Sequence, residues 1–505
     1  MTPCRVVSLK KLIPRPIVEK LTNKKAARSL MHRTASLATA ALLTVVVPFR
    51  AGETGSSDFT VLHRPLSKVQ ALNLAIAHNG TILQAQKDVE AAAGVAIQTK
   101  AILYPHLNNN AFYSVRQDSA IEANQERNLG SISFPFPPPI GTIESSPIIL
   151  PKINNQNWAN DIRVVQSIYE GGRMLSAVRS SRLINEQALL NFQSIVADTL
   201  LSVSNAYDDV LRGAMQIEVR DASVTFLSAL RDDTVNKYNA GALPHFDVLR
   251  QDVEVSNSVA LRVQTVGDYR VVKQRFVELL GYNVPTSVSD DLSLTLTTPL
   301  EAQPYGKSLE TALRDAILNR TEIAALEKEE RLRDEAIIVA KSGLKPSVQA
   351  FAGYQLLSQV QSREFTDQVH GALIGGQFTW PIFDGFLTKG RVAEAVALRK
   401  KASDALAETT RIVELQVRTA WSDLRTARAV LDAQADNVAK GERALELAQI
   451  RYNEGDGTQI DVLNAQTALT EAHGSFVDAL RNYSVARASL LRATGVDLQW
   501  SSRRR

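Results

Sequence analysis

Cysteine is nearly absent from this sequence, with Cys4 as the single example among 505 residues. One thiol near the N-terminus excludes a disulfide framework, and it also excludes a thiolate metal site or a cysteine nucleophile in the rest of the chain. Aromatic residues make up only 6% of the chain, which suits long packed helices better than the core of a globular enzyme. No later stretch reaches the length of a transmembrane helix without charged residues.

Proline is missing from two long windows, residues 152–243 and everything after Pro381. Because proline breaks the interior of a helix, these windows can hold helices far longer than the globular mean. Apolar residues recur every seven positions through the second window, as in coiled-coil packing. One heptad column consists of Val417, Leu424, Leu431, Val438, Leu445 and Tyr452. A plain antiparallel coiled coil is an alternative that this periodicity alone leaves open.

Residues 1–51 are predicted to be an export signal rather than folded structure. They hold ten Lys/Arg against one acid, and an apolar run from Ala35 to Val47 is too short to span a bilayer. No cysteine follows this run, so no lipid anchor is expected. Removal of the segment leaves 47 basic and 52 acidic residues, and this net negative charge argues against nucleic-acid binding.

Two stretches 214 residues apart share one pattern, and we call Lys237–Leu249 the first tip and Arg451–Leu463 the second tip. Both read basic-Tyr-Asn-x-Gly and then apolar-Asp-Val-Leu. In each stretch a glycine ends one helical pattern and another helical pattern follows. We interpret each as the turn of a helical hairpin, and the constant offset indicates a duplicated architecture.

The duplication predicts the organisation of the whole chain. After the export signal we expect a first structural repeat at 60–285, a linker at 286–306, a second repeat at 307–496 and a tail at 497–505. Each repeat reads helix, strand, strand, long helix, tip, helix. The strands are predicted at about 107–116, 160–169, 347–357 and 372–383, with the weak alternation that is typical of membrane strands. A proline-rich insertion around Phe134–Pro139 is predicted to be a loop.

Patterns that would indicate catalysis are missing. The histidines are dispersed without zinc spacing, and no phosphate-binding loop, serine elbow or dinucleotide fingerprint occurs. We therefore expect no enzyme activity, cofactor or metal site. The aspartates of the tips, Asp247 and Asp461, have two interpretations. They cap helix N-termini, or they form a cation-attracting ring where several chains bring their tips around one axis.

In combination, four features of this sequence are similar to the TolC family of outer-membrane efflux channels. They are the two tips, the Phe383-Asp384-Gly385 turn, the breaks at Pro105 and Pro346, and the duplication. This resemblance implies a mainly α fold with a small β part, in which each chain carries duplicated long coiled-coil hairpins and four β-strands. It further implies that three chains close a 12-stranded outer-membrane β-barrel on an α-helical periplasmic barrel. The missing lipid cysteine favours the unlipidated branch.

The resemblance also implies functional residues at the tips. The acidic pore entrance of the family matches Asp461 and Asn464, so one acidic layer is kept and the other is lost. The closed tip of the family matches Asp247, Tyr452 and Gly457. An arginine of the family is missing at Gly457, so we expect the charged part of this tip gate to be weaker.

The function implied by the resemblance is the exit duct of a tripartite efflux or type I secretion system in the outer membrane, with a large periplasmic portion. The expected partners are two further copies of the chain, a periplasmic adaptor protein, an inner-membrane transporter and outer-membrane lipid, but no nucleic acid. The alternative is a soluble periplasmic coiled-coil scaffold or adaptor protein that uses the same heptads to bind its partners.

Overall fold

The computed structural model describes residues 64–117, 133–135, 142–144, 155–283, 292–358 and 367–495. The predicted export signal and C-terminal tail lie outside the described residues, as do parts of the linker and of the proline-rich loop. Packing divides the described chain into two compact units. The first unit falls within Met1–Glu90, Ala188–Ala325 and Leu406–Arg505, and the second within Ala91–Gln187 and Leu326–Ala405.

Long helices dominate the described residues, as the proline-free windows predict. In chain order the elements are α1 (Lys68–His78), α2 (Gly80–Lys100), β1 (His106–Val115), β2 (Ser133–Pro135), β3 (Thr142–Glu144), β4 (Gln156–Glu170), α3 (Arg173–Asn239), α4 (His245–Leu279), α5 (Leu309–Asn319), α6 (Thr321–Lys341), β5 (Ser347–Ser358), β6 (Gln368–Thr379), α7 (Leu387–Asn453) and α8 (Gln459–Thr494). Helices α3 and α7 have 67 residues each. The predicted mainly α fold is confirmed, and the four predicted strands correspond to β1, β4, β5 and β6 of one sheet. The short strands β2 and β3 pair with each other, so the prediction of a loop was wrong at Phe134 and Pro135. Within the described part of the chain, no helix is both long and apolar enough to cross a bilayer.

The second unit contains an antiparallel sheet with strand order β1-β4-β5-β6. Side chains directly opposite one another in such a sheet share a face, so the register of the strands assigns each residue to one of two faces. Val164 lies opposite Leu107 and Ala352, and Ala352 lies opposite Ile374. We call the face that contains these residues the apolar face and the opposite one the polar face.

The two faces differ in chemistry over much of the sheet. The apolar face carries Leu107, Tyr113, Ile162, Val164, Val348, Tyr354, Ile374 and Phe378. The polar face carries Asn108, Asn110, Asp161, Arg163, Gln349, Gln355 and Gln377. Exceptions occur on both faces: the apolar face also carries Asn109, Asn160, Gln166, Gln368 and His370, and the polar face also carries Phe112, Val165, Phe351, Leu357, Val369 and Leu373. Most of the sheet nevertheless alternates between the two chemistries with a period of two.

Strand β6 is displaced from its prediction. The sequence predicts residues 372–383, whereas the strand spans Gln368–Thr379. The predicted C-terminal end was wrong because Pro381 has no N–H for the ladder and the chain turns after it. Strand β5 differs from its predicted range by one residue at its C-terminal end.

The first unit contains two equivalent apolar cores, as expected of a duplicated chain. Val203 and Phe276 are fully buried in one core, and the residues 214 positions later, Val417 and Leu490, are fully buried in the other. Heptad residues Leu424 and Leu431 continue the second core. The predicted heptad column of α7 therefore faces inward over this part of the helix.

A glycine closes each of these cores where a long helix ends. Gly281 has a φ of +84° and Gly495 has a φ of +66°, a left-handed conformation that favours glycine. A Cβ on Gly281 would lie 2.1 Å from the carbonyl oxygen of His78, and one on Gly495 would lie 2.9 Å from the carbonyl carbon of Asn319. Because His78 and Asn319 end the short helices α1 and α5, the missing side chains allow helix ends to pack backbone to backbone.

Replacing Gly281 with alanine should therefore destabilise the protein. The left-handed conformation costs about 1–2 kcal/mol for a residue with a Cβ, and the overpacking costs about 1–3 kcal/mol more. Thermal unfolding of the purified protein, followed by circular dichroism, measures this loss. Gly306→Ala is the matched control, because open space surrounds that glycine. Equal unfolding midpoints for the two variants would contradict a role for Gly281 in the junction.

Candidate functional site

The two tips end their long helices with the same backbone hydrogen bonds. The N–H of Ala242 donates to the carbonyl of Lys237 at 2.9 Å, and the N–H of Asp456 donates to the carbonyl of Arg451 at 2.9 Å. The glycine of each tip has a positive φ, 75° in the first and 79° in the second. This is the Schellman arrangement, in which a glycine lets the chain leave the helix while satisfying a terminal carbonyl.

The helices that leave the tips begin differently. In α8 the hydroxyl of Thr458 accepts from the N–H of Asp461, and the carboxylate of Asp461 accepts from the N–H of Thr458 at 2.9 Å. This reciprocal capping box satisfies two free amides. Helix α4 begins after Pro244, whose side chain makes no capping hydrogen bond. The second tip is therefore better fixed locally than the first.

Asp461 and Asn464, the predicted pore-entrance residues, are both exposed and lie one turn apart on α8. The backbone N–H and then the hydroxyl of Thr458 hold the pKa of Asp461 below its usual range. Capping therefore keeps this carboxylate ionised. The two interpretations of Asp461 are compatible, since the same charged oxygen atoms that cap the helix stay accessible to ions.

The predicted gate residues have separate partners in this structure. Asp247 accepts a hydrogen bond from Arg250 at 3.0 Å, and the ammonium group of Lys237 lies 4.3 Å from the ring centre of Tyr452. A Cβ added to Gly457 would lie 3.1 Å from atoms of Arg451 and Tyr452. A larger residue at this position would therefore have to displace the end of α7.

A hydrogen-bond chain that the sequence did not predict joins the two hairpins. Arg250 donates through the same nitrogen to Asp247 and, at 2.7 Å, to the side-chain oxygen of Gln459. The amide nitrogen of Gln459 donates to the hydroxyl of Thr234 at 2.6 Å, and this contact is buried. The chain connects α3 and α4 of the first hairpin with the first turn of α8. We call Asp247, Arg250, Gln459 and Thr234 the tip network.

One signal for the tip network was present in the sequence. Arg250 stands 214 residues before Asn464, so the two residues occupy equivalent places after their tips. The first copy therefore has a cation, Arg250, at the position where the second copy has the neutral amide of Asn464. No comparable signal marks Gln459 or Thr234, because their contact depends on how the two hairpins pack.

No group of three His, Cys, Asp or Glu side chains that could hold a metal ion occurs in the part of the chain that the structure describes. The chemistry at the tips is instead one of ionised carboxylates and hydrogen bonds on exposed helix ends. Together with the duplicated hairpins and the four-stranded sheet, it gives the architecture of an outer-membrane channel-tunnel.

Known proteins share this architecture and sequence. The family model described as outer membrane efflux protein matches residues 312–496. The outer membrane protein TolC of Escherichia coli K12 is 20% identical over 351 residues, which cover 68% of this chain and 70% of TolC. The outer membrane efflux protein BepC of Brucella suis is 22% identical over 423 residues, which cover 83% of this chain and 89% of BepC.

Among solved structures, the outer membrane protein VceC from Vibrio cholerae matches with a TM-score of 0.65 at 17% identity, over 85% of this chain and 96% of VceC. At this identity the likeness shows the fold. Residues 312–496 are a region of the outer membrane efflux protein family, and the resemblance to the TolC family is confirmed. The predicted outer-membrane localisation is confirmed with it.

Replacing Gln459 with leucine should loosen both tips. The change removes the bonds that link Arg250 and Thr234 across the hairpins, and a hydrogen bond to a charged group contributes about 1.5–3 kcal/mol. Amide hydrogen exchange in the second turns of α4 and α8, where the N–H groups have intrahelical partners, should accelerate about 10- to 100-fold.

Gln466→Leu provides the control, because the amide of Gln466 donates to Thr470 within the same helix. That variant should leave exchange at the tips unchanged. If the two variants exchange at the same rate, the tip network does not hold the hairpins together.

Proposed function

We propose that this chain forms the exit duct of a tripartite efflux or type I secretion system, which carries substrates from an inner-membrane pump across the periplasm and outer membrane. The observation that carries the proposal is the sheet of the second unit, which has one mainly apolar face, one mainly polar face and β1 and β6 as its terminal strands. Such a sheet suits a bilayer on one side and water on the other.

The open edges of the sheet favour a closed assembly of several copies. Every backbone N–H and C=O must be hydrogen-bonded within a bilayer, so a sheet with free edges does not persist there. Strands β1 and β6 are the terminal strands of the sheet. In a homotrimer, β1 of one copy pairs with β6 of the next, and 12 strands close around a water-filled interior lined by the polar face.

The helices of the first unit support the same assembly. The ion pair Arg231–Asp252 joins α3 to α4, and the ion pair Arg481–Asp209 joins α8 to α3. Helices α4 and α7 therefore lie at the two sides of this set of four helices. Both outer helices expose apolar side chains. On α4 these are Phe246, Leu249, Val253 and Val263, and on α7 they are Val430, Leu447 and Ile450. Neighbouring copies in the homotrimer would bury these stripes against each other.

Asp461 is the residue that we propose for ion selection at the pore entrance, beside the neutral Asn464. Arg250 compensates the charge of Asp247 at 3.0 Å. Asp461 is exposed, and one of its carboxylate oxygens, Oδ2, accepts hydrogen bonds from the N–H and the hydroxyl of the uncharged Thr458. Three copies of Asp461 around an axis form one acidic ring that attracts cations and repels anions.

In this proposal the tip gate comprises Asp247, Tyr452 and Gly457. The family has a cation at the position of Gly457, and in this chain Arg250 supplies that positive charge. The repeats at 60–285 and 307–496 each supply one tip to the gate. A periplasmic adaptor and an inner-membrane transporter complete the system, and the transporter selects the cargo because a wide duct contributes little specificity.

A soluble periplasmic scaffold is the second candidate, which the heptads of α3 and α7 favour. Cell fractionation separates the two functions. The duct should sediment with the outer membrane and require detergent for release, because its apolar face contacts lipid. In planar bilayers, the purified protein should then form conducting pores. Release with the periplasmic fraction, together with a failure to conduct even when the tip residues are changed, would contradict the duct.

The Asp461→Asn variant should lower the preference of these pores for cations and weaken block by multivalent cations. Asparagine removes the charge but keeps an oxygen atom for the amide of Thr458, so the cap is largely preserved. The reversal potential under a salt gradient measures the preference. Asp432→Asn on α7 removes the same charge elsewhere and should leave the reversal potential unchanged. An unchanged value for Asp461→Asn would remove Asp461 from the pore entrance.

A further inference from the structure

A groove of about 400 Å³ lies in the second unit where the strands meet the long helices. Arg173 at the start of α3 and Arg391 at the start of α7 line it. Its apolar wall is formed by the end of α6, with Ala336, Val339 and Ala340. Ser342 and Gly343 of the following 3-10 turn complete the lining. We call this site the junction groove.

Positive charge predominates around the junction groove. The segments that join strands to helices, 97–105, 170–175, 341–346 and 380–391, contain six basic and two acidic residues. Both acids are engaged. Glu170 lies 3.5 Å from Arg173, and Asp384 caps α7 by accepting from the N–H of Thr388 at 2.8 Å. Arg391 is exposed. Arg173 thus shares its charge with Glu170, and the four basic residues in excess of the acids, Arg391 among them, leave the segments around the groove positive beside an apolar surface.

Exposed aromatic and apolar side chains lie in the same segments. Tyr104, Trp380, Ile382, Phe383 and Phe386 are between 56% and 81% exposed. Aromatic residues in this position are typical of the boundary between a bilayer and water. In a sheet inserted in a bilayer, these aromatic residues would place the junction groove at the depth of the lipid headgroups.

One hydrogen bond connects the groove to the lipid side of the sheet. Trp380 continues the alternation of Ile374 and Phe378 on the apolar face, one position past the end of β6. Its indole N–H donates to the carbonyl of Leu344 at 3.2 Å, and Leu344 belongs to the 3-10 turn that lines the groove. This contact places the wall of the groove beside side chains that would face lipid.

We propose that the junction groove binds the headgroup of an anionic phospholipid from the leaflet that faces the periplasm. Arg173 and Arg391 hold the phosphate, since guanidinium groups match phosphate oxygens in geometry and charge. The glycerol and the upper acyl chains cover Ala336, Val339 and Ala340. This inference rests on the proposed insertion of the sheet in a bilayer.

Retention of lipid tests the proposal. The purified protein is reconstituted in nanodiscs of phosphatidylcholine and phosphatidylglycerol and re-extracted in mild detergent. The lipid that remains per chain is then quantified by mass spectrometry. Arg173→Gln and Arg391→Gln should each reduce retained phosphatidylglycerol about fivefold, because a basic residue at an anionic surface contributes about 1 kcal/mol. Retained phosphatidylcholine should not change.

Arg443→Gln is the control, since Arg443 is an exposed arginine paired with Glu446 on α7. It should retain phosphatidylglycerol like the unchanged protein. Equal retention by all variants would overturn the proposal, and so would displacement of the lipid by an equal concentration of inorganic phosphate, which would indicate a free-anion site. Conductance is recorded on the same preparations, so a conducting pore without selective retention rejects the groove alone and leaves the duct standing.

Discussion

The constraint on which the proposed assembly depends is that lipid cannot hydrogen-bond a peptide group. Four strands satisfy it between themselves, and β1 and β6 are the terminal strands of the sheet. Pairing β1 of one copy with β6 of the next satisfies both edges, because each strand edge carries N–H donors as well as C=O acceptors. The same logic extends to the first unit, where α4 and α7 leave apolar stripes at the two sides of the helical set. Local chemistry at both places thus supports the proposed closure.

Features that repeat within the chain could be predicted from sequence. The proline-free windows predicted α3 and α7, and the heptads identified the inward side of α7 at Val417, Leu424 and Leu431. The glycine motif predicted where both hairpins turn. These features depend on neighbours within a few residues, so local patterns determine them. The predicted C-terminal end of β6 was wrong, because Pro381 has no N–H to continue the ladder.

The partners of side chains at the tips could not be predicted in the same way. Arg250 and Gln459 are 209 residues apart, and their contact follows from the packing of one hairpin on the other. The resemblance implies an arginine at the position of Gly457, and this chain lacks that cation. The chain carries a cation at Arg250, which the resemblance does not imply. The tight space around Gly457 gives a reason for the change. With a Cβ contact at 3.1 Å to Arg451, a long side chain fits poorly at that turn.

The unequal N-terminal caps of α4 and α8 affect what a docking protein meets. A ring built from chains with one hairpin each would present a single repeating surface. In the proposed homotrimer, duplication within the chain would instead give a ring of hairpin ends in which a firmly capped end alternates with a more compliant one. A protein docking on such a ring would meet two kinds of hairpin end, so a rotation by one hairpin would not give an equivalent contact.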